Sequence, residues 1–155
     1  MGWNSFPPFI GGKGFFLFNM SRVLAIDFGT KKVGLAVTDT LQIAAHGLQT
    51  IPTEKLDDFL SSYMKDEPVS EIVLGLPRHA DGNPTTLVPR IQKLAEDLCR
   101  KYPAINVVFQ DESFTSREAQ DIIRKSVRSR KKRRDKSLVD KISAVLILQR
   151  YLKHI

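Results

Sequence analysis

A chain of 155 residues with 42% hydrophobic and 26% charged side chains is the size of one globular domain, long enough to bury most of the surface its unfolded form exposes. No apolar run approaches the ~20 residues a membrane-spanning helix needs, so a membrane role is not expected, and one cysteine excludes an intramolecular disulfide and argues against a cysteine-built zinc site. The net charge of +7 is concentrated: residues 124–136 hold nine basic side chains and one acidic, while the remaining 142 hold 15 basic and 16 acidic.

Residues 1–19 differ in character from the rest of the chain. Gly2, Pro7, Pro8, Gly11, Gly12 and Gly14 break any periodicity, and Phe15 to Phe18 form an apolar run too short for a secretory signal. The stretch is expected to be a disordered leader or the product of a start codon placed too early, with Met20 the true start and residues 20–155 the domain. Val23-Leu24-Ala25-Ile26 then reads as a strand ending in Asp27-Phe28-Gly29-Thr30. The alternation of Val33, Leu35 and Val37 predicts a second strand, joined to the first as a hairpin through Gly-Thr-Lys-Lys. Residues 43–51 read as a third, weaker strand.

Leu56, Phe59, Leu60 and Tyr63 fall at helical spacing between Glu54 and Lys65, and Glu71 to Gly75 is a buried strand. A loop with Pro77, Gly82 and Pro84 leads to a helix over 87–100, whose apolar face is Ile91, Leu94, Ala95 and Leu98. Cys99 within it is expected to be a buried free thiol, in keeping with a reducing, cytosolic setting. Pro103 ends that helix; Ile105 to Phe109 is a strand, Thr115 to Lys125 a short helix, and Leu138 to Leu152 a last helix after the basic run. The order β-β-β-α-β-α-β-α-α predicts an α/β protein with a mixed five-stranded sheet flanked by helices. Its first and fourth strands are natural neighbours, and ligands are expected beyond the carboxyl ends of the strands.

A like-charge run as dense as 124–136 repels itself unless a polyanion screens it. Because an apolar segment comes next and must return to the core, binding of a phosphate backbone is preferred to a solvated tail. Arg128, Arg130, Lys131, Lys132, Arg133 and Arg134 are the expected contacts. Thr30, Lys31 and Lys32 in the first turn, and Arg78 in the long loop, are further candidates, since a glycine-containing turn can offer N–H groups and cations to phosphate.

Three acids sit where acids are costly unless used. Asp27 ends the first strand, Glu112 comes closely after Val107-Val108-Phe109, and Asp140 opens the last helix. Each has a plainer role open to it: Asp27 as a turn former, Glu112 as a surface residue, and Asp140 as part of a capping box beginning at Ser137. Converging, the three would repel one another unless divalent cations neutralised them, and oxygen-only ligation selects Mg²⁺ or Mn²⁺. Two such ions ~3.5–4 Å apart can activate a water and stabilise the departing oxygen of a phosphodiester without a protein nucleophile.

Val23 to Asp39, Gly75-Leu76-Pro77 with Asp81-Gly82, Asp111 to Ser116, and Val139-Asp140 through Gln149 resemble, in order and spacing, the motifs of the YqgF/RuvX family. The resemblance covers about residues 21–153. It implies a ribonuclease-H-like fold, an acidic triad at Asp27, Glu112 and Asp140, and a cytoplasmic, divalent-metal-dependent nuclease. The substrate it implies is structured RNA, at the 5′ end of the 16S rRNA precursor, or alternatively a four-way DNA junction. The family usually has arginine where this chain has Ser113, so a substrate-holding cation there would pass to Arg117 or Lys32. Asp-Phe-Gly-Thr before a hairpin also resembles the first phosphate loop of actin-like kinases, but 155 residues cannot supply the second domain such enzymes need. A binding module without catalysis would gain nothing from three acids that repel its ligand. Oligomeric state is not legible.

Overall fold

The computed structural model describes residues 20–77, 86–111 and 115–152. The leader, Arg78 and Glu112 therefore lie outside the described residues. Strands β1 (Arg22–Phe28), β2 (Lys32–Thr38) and β3 (Ala45–Pro52) form an antiparallel meander, followed by a 3₁₀ turn (Thr53–Lys55) and helix α1 (Leu56–Asp66). Then come β4 (Val69–Leu76), α2 (Val88–Lys101), β5 (Asn106–Asp111), α3 (Thr115–Ser126), a single turn α4 (Arg130–Arg133) and α5 (Lys136–Tyr151). The sheet order is β3-β2-β1-β4-β5, with β1 parallel to β4 and β4 parallel to β5. The expected mixed five-stranded sheet and the pairing of first and fourth strands are both present.

Side chains of β1 alternate between two cores, as the period of two requires. Leu24, Ile26 and Phe28 join Val33, Leu35, Ile72 and Leu74 against Leu56 and Leu60 of α1 and Ile91, Ala95 and Leu98 of α2. Val23 and Ala25 face the other way, with Ala36 and Val73, against Ala144, Ile147 and Leu148 of α5. Ties at both ends hold α5 down. Thr50 Oγ1 donates to the Ser137 carbonyl at 2.6 Å near its start, and the Tyr151 hydroxyl donates to Glu71, with Arg150 paired to Glu118, near its finish. The Tyr151 hydroxyl pKa is pushed up to about 12 by burial and by the Glu71 carboxylate that accepts its hydrogen bond.

Three expectations need correction. The last helix begins at Lys136, two residues early, because Asp135 is the cap and its side chain accepts from the Ser137 N–H at 2.9 Å. Asp140 therefore sits in the second turn, and the capping box from Ser137 does not form. Cys99 is exposed, since the buried stripe of Val88, Ile91, Ala95 and Leu98 leaves it one position further round α2. The basic run also holds a helical turn, α4, whose cap Ser129 accepts from the Lys132 N–H. No helix among the described residues is long and apolar enough to cross a membrane.

Candidate active site

Asp27 is the penultimate residue of β1 and alternates with Val23 and Ala25, so it belongs to the α5 face at the carboxyl end of the central strand. It is half-buried, and its partner across the β1–β2 ladder is Gly34. On that glycine rests Asp140: a Cβ added to Gly34 would lie 2.1 Å from the Asp140 carbonyl oxygen and 3.2 Å from the Asp140 Cβ. No other residue type fits there without moving α5. Paired residues in an antiparallel ladder are ~5 Å apart, so the register places Asp27 and Asp140 on one patch of the sheet surface.

The surroundings of Asp140 are half-buried and cationic. Burial pushes its carboxyl above the ordinary carboxylate range; Lys32 pulls it back down, the nearby Asp135 charge raises it, and Lys136 lowers it. Lys32 Nζ donates to Ser137 Oγ at 3.2 Å, one turn from Asp140 on the same helix. The turn between β1 and β2 is itself fixed: Thr53 donates through its N–H to the Lys31 carbonyl at 2.9 Å and through its hydroxyl to the Gly29 carbonyl at 2.8 Å. Thr30, Lys31 and Lys32 are exposed on that turn.

Of the sequence-predicted residues, Asp140 rests on the ladder partner of Asp27, and the charge of Lys32 acts on Asp140. Glu112 lies outside the described residues, next in sequence after Asp111, the last residue of β5, which pairs with Leu76 of β4. No group of three acidic, histidine or cysteine side chains suited to a metal occurs among the described residues. Arg117 is exposed in the first turn of α3. In the basic run Arg128, Arg130, Lys131, Lys132 and Arg134 are exposed, and Arg133 is half-buried with its guanidinium donating to the Arg128 carbonyl at 3.4 Å. Arg130, Arg133 and Arg134 share a groove with Arg124 and Lys136. Those last two flank the expected contacts and escaped them because a count of charge does not say which cations face one another. Arg90 is a second omission: it lies 5.5 Å over the ring of Phe28, the residue after Asp27. No spacing in the sequence marks it.

A mixed sheet of this order, with helices on both faces and carboxylates where its central strand ends, defines a ribonuclease-H-like α/β protein. The family model described as RuvX: Holliday junction resolvase matches residues 21–154, and the chain belongs to that family. It is 49% identical over 133 residues to a Porphyromonas gingivalis protein named "Putative pre-16S rRNA nuclease", covering 86% of this chain and 96% of the relative. A Phocaeicola vulgatus protein of the same name is 45% identical over 134 residues, with 86% and 96% covered. Among solved structures, Thermus thermophilus RuvC in complex with a Holliday junction substrate is similar over 86% of this chain and 96% of that one, at 16% identity and a TM-score of 0.48.

Proposed function

We propose that this protein is a divalent-metal-dependent endonuclease that hydrolyses phosphodiesters at the 5′ end of the 16S rRNA precursor in the cytoplasm. The observation that carries the reading is the contact of Asp140 with Gly34, the ladder partner of Asp27, which sets two carboxylates from distant parts of the chain on one surface. Hard carboxylate oxygens at the carboxyl end of the central strand fit Mg²⁺ or Mn²⁺. Asp27, Asp140 and Glu112 would hold it. When bound, such an ion lowers the pKa of water and stabilises charge on the departing oxygen.

The chain's own residues do the rest. Lys32 favours the ionised form of Asp140, the form able to ligate, and with Thr50 holds the first turn of α5 in place. Thr30 and Lys31 at the exposed turn, with Arg78 and Arg117, are assigned to substrate phosphates, as are Arg128 and the run Arg130 to Arg134. Lys32 or Arg117 takes the place of the cation that Ser113 does not supply.

A family description that names Holliday junctions favours a second reading, cleavage of four-way DNA. Incubating a 5′-extended 16S precursor fragment and a four-way junction with Mg²⁺ or Mn²⁺ separates the two. Cleavage of the RNA by wild type and its absence with Asp140→Asn is the expected result. Cleavage of the junction alone moves the assignment to DNA, and equal rates for wild type and variant remove Asp140 from the site.

A further inference from the structure

Helix α3, the single turn α4 and the first turns of α5 enclose an open groove of about 600 Å³. Its walls carry four arginines and Lys136, the half-buried Val139 and the exposed Gln120 also line it, and Ile123 closes its floor almost wholly buried. A cleft of ~300–1,000 Å³ takes a ligand of drug size, which one or two nucleotides match. Duplexes meet proteins instead across broad surfaces of ~1,000–2,500 Å². The lining chemistry agrees with the size. Guanidinium planes stack on base faces and an apolar side chain can cover one, and both require a base freed from pairing; an amide can bond a base edge besides. Aromatic residues are scarce near the basic run, which by itself suggests recognition of duplex shape; the groove offers guanidinium planes for stacking in place of an aromatic ring.

Its position is equally specific. Lys136 lies four residues before Asp140, on the same stripe of α5 and ~6 Å along the axis. Val139, on the groove wall, is the residue immediately before Asp140. We infer that this groove holds the one or two unpaired nucleotides adjoining the scissile phosphate, so that the substrate carries a single-stranded segment at the cut. The placement beside the cut rests on the nuclease reading above; the preference for unpaired strands does not.

The test is binding without divalent metal, in EDTA, of labelled eight-residue oligouridylate and oligothymidylate, a duplex RNA and a four-way DNA junction. Two double variants remove equal charge from exposed positions of one run: Arg130→Ala with Arg134→Ala inside the groove, and Lys131→Ala with Lys132→Ala outside it. The groove pair is expected to lose about tenfold in affinity for the single strands and much less for the duplex. The outer pair should weaken every probe slightly and alike. Gln120→Ala, which changes no charge, should weaken the single strands alone. Equal losses from both pairs on all probes, an unaltered Gln120→Ala, or a wild type that prefers duplex or junction would each overturn the proposal. A wild type that binds unpaired strands in this pattern yet cleaves nothing with Mg²⁺ or Mn²⁺ would sink the nuclease reading and leave the groove standing.

Discussion

The two faces of the sheet are built from different side chains. Towards α1 and α2 the central strands present Leu24, Ile26, Phe28, Leu35, Ile72 and Leu74, and the helices stand off on bulky residues. Towards α5 the same strands present Val23, Ala25, Gly34, Ala36 and Val73, and the helix backbone touches the sheet. One face buries large apolar area, the usual source of stability. The other gives up that area for proximity. An aspartate reaches only two carbons from the main chain, so two of them can share a ligand only if their backbones come close. The small-residue face supplies that approach.

The largest effect should come from the carboxylates. Asp27→Asn and Asp140→Asn are each expected to slow Mg²⁺-dependent cleavage by about a hundredfold or more, several kcal/mol of transition-state stabilisation, with an unchanged circular-dichroism spectrum. Next is a pair that probes the contrast between the faces. Gly34→Ala drives a methyl into the Asp140 carbonyl and should cost about a hundredfold in cleavage through misplacement of the site, with ~1–3 kcal/mol of overpacking. Leu35→Ala, its neighbour on the other face, should cost ~2–5 kcal/mol of stability while each folded molecule keeps its activity. If both variants lost stability and activity in the same proportion, the two faces would not differ as described.

How much of this was legible in the sequence depends on the range of each signal. The Val23–Ile26 run and the 91, 94, 95, 98 stripe of α2 are local patterns, and they produced the strands, helices and sheet class. Asp27 and Asp140 could be named because an acid beside an apolar run is itself a local anomaly. The contact that joins them is not local: Gly34 looks like any small residue in a hairpin until α5 lies on it. The start of α5 is ambiguous in the sequence because Asp135 and Ser137 are both able caps, and only the bond from the Ser137 N–H to Asp135 decides between them. Groove formation by the basic run depends on α4 folding back towards α3, which charge density alone does not dictate.

A smaller effect concerns pH. Burial raises the folded-state pKa of Asp140 above its ordinary 3.8, so ionising it opposes folding. The stability associated with the protonated form is complete below the unfolded pKa and is lost as pH rises through the folded one. Asp140→Asn, which keeps the neutral shape, should therefore melt above wild type at pH 7, with the gap closing towards pH 4 in thermal melts; a gap of opposite sign would mean that Lys32 and Lys136 outweigh burial. Smallest is Thr50→Val, which removes the bond to the Ser137 carbonyl and should cost ~1 kcal/mol by urea titration.

The proposed chemistry requires Asp27 and Asp140 to act as one unit upon a shared ion. A double-mutant cycle of Mn²⁺-dependent cleavage with Asp27→Asn, Asp140→Asn and both together reads out that coupling. If the two share an ion, the double variant is no slower than the slower single. If the two losses multiply, the carboxylates work independently and the shared-ion site does not exist.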